Sequence, residues 1–402
     1  MSEFGTKLEN HISLPFLDLA FRPFFLLATL FSIFALCLWG LLLSGRLVFS
    51  PYGGGYFWHA HEMVFGFVSA ALVGFLLTAA QSWTGVRAPN GFKLFVLACV
   101  WLFARIFMLM GEIIPFEIIV SVDLSFTLLA AYFLLVMLVE KKQYRNYFAV
   151  IALLIITFLN GLTHYSLRGE PVYELRDSIH ATILIITMMM TVIGGRVIPL
   201  FTANATKLPP KPRIPWLENA ILLNIWVLIL IYIINIYFQL DFAFLSVLFL
   251  TCALLIAIRS FRWNLWTTLR HPLLWSLQLS YWFIPLGLFF LGCHYLLDFS
   301  MSIAIHILTV GAMGGMILSM MSRVSLGHTG RALQADKIMT LSFLTIFMAA
   351  IVRVIFVLFW PEEASTFFLV TISLWSVGYS LFLFKFGLVL IRPRVDRKSS
   401  SY

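Results

Sequence analysis

The sequence predicts an all-α integral membrane protein, a single domain over residues 1–402 built as a bundle of about twelve transmembrane helices. Three observations predict it. The first is composition: 61% of residues are hydrophobic, 11% are charged and the mean hydropathy is +0.97. A soluble domain is nearer half apolar and a quarter charged, and its surface could not hide such an excess, so the solvent for most of the chain is lipid. The second is a succession of apolar runs, each about 20 residues long, which is the length a helix needs to cross a bilayer. The third is a one-sided distribution of Lys and Arg in the loops between them.

The runs fall at roughly 24–43, 57–80, 92–110, 116–139, 147–163, 178–198, 217–239, 242–258, 273–297, 301–321, 337–360 and 364–391. Backbone within a bilayer must satisfy its own hydrogen bonds, so each run reads as a helix. Pro, Gly and charge clusters part them, as at Ser50–Gly55, Arg87–Gly91 and Lys207–Pro215. One set of loops carries Arg87, Lys93, Lys141, Lys142, Arg145, Lys207, Lys211, Arg213, Arg259, Arg262, Arg270, Arg331 and Lys337. The other carries only Arg46, Arg168 and Arg176, with the acids Glu112, Asp298, Glu362 and Glu363. The basic set is the cytoplasmic one. With an even number of spans, the N-terminal segment 1–20 and the tail 392–402, with its Arg392, Arg394, Arg397 and Lys398, both lie in the cytoplasm. The first apolar run follows Lys7 and Arg22 and is too long for a signal-peptide core, so it reads as a span.

The net charge of +9 follows from this topology and does not point to nucleic acid, because the basic residues sit in short loops. Cys37, Cys99, Cys252 and Cys293 lie in or beside apolar runs with no CxxC pair, which excludes a disulfide framework or a zinc motif and leaves them as small buried hydrophobes. No phosphate-binding glycine loop, dinucleotide fingerprint or Ser-His-Asp signature is present.

A repeat runs through the chain. His61, His180 and His306 each stand near the start of a span, and Thr84-Gly85, Thr202-Ala203 and Thr329-Gly330 follow them after 23, 22 and 23 residues. The second and third copies share Arg196-Val197 and Arg323-Val324, and successive histidines are 119 and 126 residues apart, about four spans. The spacing suggests three units of four helices.

Ionisable residues inside a membrane are functional candidates by default. In this topology His59, His61, His180 and His306 lie toward the periplasmic face, and the fifth and ninth helices bring His164 and His294 to the same side. Imidazole suits haem iron and copper. At repeat-equivalent positions, His61, His180 and His306 read as metal ligands, whereas His164 and His294 read as interfacial histidines. His59 and His61 face nearly opposite ways on a regular helix and cannot serve one metal together. His59 is left as a helix-start residue or part of a second site. Glu62 reads either as an acid favoured by the helix dipole or as a carboxylate that orients a ligand imidazole. Arg105 and Arg353, deep in the third and eleventh spans, need anions. Haem propionates would serve, and so would internal partners for Arg105 such as Asp123, Glu112 or Glu62. Met313 and Met320 share the stripe of His306 at intervals of seven, where core filling is the simpler reading than copper ligation. Gly311 and Gly315 read as a close-packing face.

The runs FRPFF (21–25), WHAHEMVFGF (58–67), GFLLTAAQSWTG (74–85), GGRVIPLFTAN (194–204) and GAMGGMILSMMSRVSLGHTGR (311–331) together resemble the NnrS family, from Phe21 to the twelfth helix. The resemblance implies a bacterial inner-membrane protein with haem and copper, linked to denitrification and to tolerance of nitric oxide. The family looks similar in logic to haem-copper oxidases and nitric oxide reductases. This chain lacks their His-His pair and carries one histidine, not His-x-His, in its tenth span, so an oxidase-type binuclear centre is not implied. The expected partners are nitric oxide or another diatomic ligand and the lipid bilayer; the sequence names no electron donor. Two other classes compete: a transporter for a metal ion or small anion, and a non-enzymatic partner that assembles or protects another membrane complex.

Overall fold

The structure, a computed structural model, describes residues 14–169, 172–209, 211–238 and 242–396. Lys7 and most of the expected N-terminal segment, Arg397 and Lys398 of the tail, and the side chain of Glu112 lie outside the described residues. All regular elements among the described residues are helical. Twelve of them are long and apolar enough to cross a membrane: α1 Phe21–Leu43, α2 Gly54–Thr84, α3 Gly91–Met110, α4 Phe116–Glu140, α5 Tyr144–Arg168, α6 Arg176–Thr206, α7 Pro215–Asn235, α8 Ala243–Phe261, α9 Pro272–Leu297, α10 Met301–His328, α11 Lys337–Phe359 and α12 Pro361–Ile391. The chain is a multi-pass membrane protein.

Local chemistry explains where several helices start and stop. The Asp336 carboxylate accepts from the Met339 backbone N–H at 3.0 Å and caps the start of α11, and Ser300 caps α10 in the same way. Gly85 ends α2 at a φ of +70°, which favours glycine, with its N–H on the Gln81 carbonyl at 2.8 Å. The spans read from sequence match these bounds to within a few residues, but α5 runs on to 168 and the C-terminal ends of α2, α6 and α10 run on to 84, 206 and 328. Those ends are polar, so hydropathy drops before the helix does. Thr84 and Thr206 return their hydroxyls to the carbonyls of Ala80 and Thr202, at 2.7 and 2.8 Å, which lets polar residues stay helical. The same three helices carry His61, His180 and His306, and they are 78%, 61% and 72% buried over their apolar windows, against 28% for α12. They are core helices.

Contacts divide the chain into two compact units. The first comprises Met1–Leu175, Met321–Leu333 and Phe382–Tyr402, and so holds α1–α5. Within it α4 packs on α2, α3 and α5. The start of α1 and the end of α12 meet there: the buried Arg22 guanidinium donates to the carbonyls of Leu390 and Arg392 at 3.0 and 2.7 Å. The repeat spacing groups α5 with α6–α8, whereas by contacts it belongs with α4, because polar side chains of α4 and α5 bond to one another (below).

The second unit comprises Arg176–Met320 and Gln334–Leu381. Here α9 packs on α8, α10 and α11. The small-residue face of α10 serves close packing, as its sequence suggests. A Cβ on Gly311 would fall 2.3 Å from the Phe283 ring of α9, and one on Gly315 would fall 2.4 Å from the Ser280 hydroxyl.

Two helices depart from α-geometry directly after a singled-out histidine. α2 is π-helical over Glu62–Val68, following His61, and α10 over Ile307–Gly314, following His306; α6 has no such segment after His180. A third π-helical segment, Val352–Phe356 of α11, contains Arg353. Such segments are rare and concentrate at functional sites. In α10 the wider turn shifts the phase between His306 and Met313, so the seven-residue stripe does not continue along one side; Met313 is fully buried in the core.

Gly311→Val should destabilise the protein by about 1–3 kcal/mol through overpacking against Phe283. Thermal melting in detergent reads this as a lower transition temperature, and an unchanged one would contradict the packing.

Candidate metal centre

The densest set of buried ionisable groups lies in the first unit and draws on four consecutive spans. α2 supplies His61 and Glu62, α3 Arg105, α4 Asp123, and α5 Asn160 and His164. All six are 3% exposed or less, so every charge must be met by another side chain.

Asp123 stands at the centre. One carboxylate oxygen, Oδ1, accepts from the Arg105 guanidinium. The other, Oδ2, accepts from Asn160 Nδ2 at 2.7 Å, lies 3.1 Å from His164 Nε2 and 3.3 Å from His61 Nε2. Arg105 also donates to Glu62 Oε1 at 2.5 Å, so its planar fork spans two carboxylates from two helices. Glu62 Oε1 in turn faces His61 Nδ1 at 3.0 Å. A carboxylate oxygen can only accept here, so His61 donates from Nδ1; its Nε2 faces two further oxygens, Asn160 Oδ1 at 2.8 Å and Asp123 Oδ2 at 3.3 Å.

The α-helical spacing makes this set. Asn160 and His164 are one turn apart and share a face of α5. The π-helical segment of α2 passes close to α3 at Gly66, where a Cβ would fall 2.9 Å from an Arg105 nitrogen. The Gly66 carbonyl accepts from Trp101 Nε1 of α3 at 3.0 Å, which fixes that approach.

The ligand atoms of His61, Asp123 and His164 all lie within 4.8 Å of one another, a spacing that could hold a metal ion. Metal–ligand bonds of about 2.1 Å place neighbouring donors about 3.0–3.4 Å apart, at octahedral or tetrahedral angles. The 3.1 and 3.3 Å separations from Asp123 Oδ2 fall in that range. Each donor is also held from behind: His61 through Glu62, Asp123 through Arg105, and His164 through the Tyr52 hydroxyl, 3.2 Å from its Nδ1. Tyr52 lies in the loop before α2, and burial raises its hydroxyl above the ordinary phenol value, partly offset by Arg168, so it stays protonated.

The NnrS protein family matches residues 15–394, nearly the whole chain. The chain belongs to the NnrS family. No curated protein matches it.

In this NnrS-family chain the residues singled out from sequence are distributed between the two units. His61 and Glu62 sit in the centre just described, where the Glu62 carboxylate faces the His61 ring. Arg105 is there too, paired with Glu62 and Asp123, two of the internal partners its position suggested, so its guanidinium is committed to carboxylates of the protein. His59, two residues from His61, turns away and stacks on Trp39 of α1, with ring centroids 4.8 Å apart and planes 10° apart.

His180, His306 and Arg353 belong to the second unit. His180 is 8% exposed, with its Nδ1 3.5 Å from the Tyr232 hydroxyl. His306 Nδ1 lies 2.6 Å from the Ser302 carbonyl, and His294 Nδ1 lies 2.6 Å from the Phe299 carbonyl. A carbonyl only accepts, so both rings carry a proton on Nδ1, and in the neutral ring the lone pair is on Nε2. Arg353 donates to the Ser302 hydroxyl at 2.9 Å, lies over the Phe368 ring at 4.4 Å and stands beside the His306 imidazole.

Sequence reasoning treated His164 as interfacial and missed Asn160 altogether. An Asn-x3-His pair on one helix face, opposite an Asp within an apolar span, is the signal that marks them. It also missed Arg259, 4% exposed in α8, which donates to Glu218 at 3.0 Å, to the Thr191 carbonyl at 2.9 Å and to the Tyr281 hydroxyl. Gly195 gives it room, since a Cβ there would lie 2.8 Å from its guanidinium. An apolar groove of about 650 Å³ between α8 and α9 is lined by Leu250, Leu254, Trp282, Phe283 and Phe289 among other apolar groups, and carries no ligating side chain.

Arg105→Ala should destabilise the protein by about 3–5 kcal/mol, because Glu62 and Asp123 are left as uncompensated buried charges. Arg105→Lys should recover only part of this, since one ammonium cannot replace the planar fork. Folded yield and melting in detergent measure both; a neutral alanine variant would contradict the network.

Proposed function

We propose that this protein is a metal-containing protein of the bacterial inner membrane that handles nitric oxide and protects against it, with both termini in the cytoplasm. The observation that carries the reading is the buried His61–Asp123–His164 donor set, on a chain of the NnrS family. The Lys/Arg bias supports the orientation, and the Arg22 contacts with the end of α12 support termini on one side.

Haem and copper are the cofactors expected from the family. The donor set in the first unit fits a single ion and not a porphyrin. The His61 ring is packed by Phe57, Phe65 and His164 at centroid distances of 5.3, 4.8 and 5.0 Å, which leaves no slot for a macrocycle. The chemistry of the second unit suits haem better. His294 and His306 are both partly exposed and both rest Nδ1 on a carbonyl, which makes Nε2 the nitrogen that would ligate; Arg353, 3.5 Å from the His306 Nε2, suits an anionic substituent. Haem, when bound, supplies an iron that takes nitric oxide as a ligand. The residues here would hold its iron through Nε2 and orient that ring through the backbone carbonyl. His180, with Tyr232, is the remaining candidate for copper in that unit.

A reduced-minus-oxidised spectrum of the purified protein, with metal analysis of the same sample, tests this. The expected result is a haem Soret band that shifts when nitric oxide is added, with copper present. His61→Ala, His180→Ala and His306→Ala should each lower bound metal without preventing insertion. A folded protein without haem or copper, from haem-replete cells, would favour a transporter for a metal ion or small anion, which also uses buried charge within a bundle.

A further inference from the structure

We infer that the centre in the first unit is a mononuclear non-haem iron site, separate from any haem or copper, and that nitric oxide binds directly to its ferrous ion. This rests on the reading above that the protein handles nitric oxide, but the metal assignment comes from the donor set alone. Two imidazoles and one carboxylate on one side of an ion, with the other positions open, is the arrangement that selects non-haem ferrous iron. His61, His164 and Asp123 are such a set, drawn from three helices with all ligand atoms within 4.8 Å. No cysteine takes part: Cys37 is exposed, Cys99 and Cys293 are partly exposed, and Cys252 is buried in the other unit. The centre therefore has no soft ligand to retain Cu(I), and it has a carboxylate that suits a harder ion.

The surroundings also match a divalent ion that keeps open positions. Glu62 and Asp123 set two carboxylates against the single guanidinium of Arg105 beside the donor atoms, an anionic surrounding for a cation. Glu62 Oε2 is buried with no hydrogen-bond partner among the described residues, a second unused oxygen beside the donors. Asn160 spans the two donor atoms it touches, His61 Nε2 at 2.8 Å through Oδ1 and Asp123 Oδ2 at 2.7 Å through Nδ2. It therefore stands next to the position an ion would take. With iron in place its amide N–H is the group available to donate to a bound diatomic ligand. Nitric oxide enters as a neutral ligand, with no bond broken.

The test uses the full-length protein in detergent, stripped of metal and reloaded anaerobically with Fe(II) alone. Iron in excess of haem should bind at one per chain, and nitric oxide should then give the high-spin electron paramagnetic resonance signal of a non-haem ferrous-nitrosyl. His164→Gln and Asp123→Asn should lose that iron and that signal while any haem spectrum is unchanged, which also shows that the variants fold. Asn160→Ala should keep the iron and weaken nitric oxide binding several-fold. No iron bound by a folded protein whose circular dichroism is native, or bound iron that gives no nitrosyl signal with nitric oxide, would overturn the proposal. Loss of the haem spectrum in the native protein, with the iron signal intact, would instead overturn the haem part of the functional reading and leave the iron site standing.

Discussion

The structure of the first unit depends on one buried carboxylate. Asp123 sits two turns into an apolar helix, buried from water, and burying such a charge alone costs several kcal/mol. Arg105, Asn160 and His164 donate to it or face it, and His61 lies 3.3 Å away. These partners come from α2, α3 and α5, so the carboxylate ties together four spans that apolar contacts alone would let slide. In lipid, apolar packing gives little preference for one helix register over another, and polar contacts of this kind fix it. The same need for partners brings the donor atoms of His61 and His164 to one carboxylate oxygen.

The backbone is shaped to allow it. The wide turn after His61 brings Gly66 against α3, and the absence of a side chain there leaves room for the Arg105 guanidinium. A comparable wide turn follows His306 in the second unit, where Gly314 accepts from the Tyr379 hydroxyl at 3.0 Å and leaves room for Trp375. Two of the three repeat positions thus share a histidine, a π-helical segment and a glycine at a tight contact. His180 keeps the histidine on a regular helix.

Most of the fold could be read from sequence, because lipid imposes length and apolarity on each span. All twelve helices fall where the runs are, and the misjudged ends of α2, α5, α6 and α10 are polar turns that hydropathy does not register. His61 and Glu62 were legible because they interrupt an apolar run. Their partners were not. Asp123 reads from sequence as one option among several for Arg105, and His164 looks like one more histidine at a helix end. What joins them is a helix-to-helix register that no local pattern encodes. The repeat pattern sets His61, His180 and His306 at equivalent positions, while the contacts give His61 partners from the neighbouring spans α4 and α5.

The protein is thus a membrane bundle in which one unit holds a buried ion network that contains a possible donor set, while in the other unit His294 and His306 each rest Nδ1 on a backbone carbonyl. The central claim is that His61, Asp123 and His164 bind an ion. X-ray absorption at the metal edge of the purified, metal-loaded protein tests it most directly. The account predicts a shell of nitrogen and oxygen donors at about 2.0–2.2 Å, with the outer scattering of two imidazoles, lost on His164→Gln. A sulfur shell, a single imidazole, or a spectrum that the substitution leaves unchanged would contradict it.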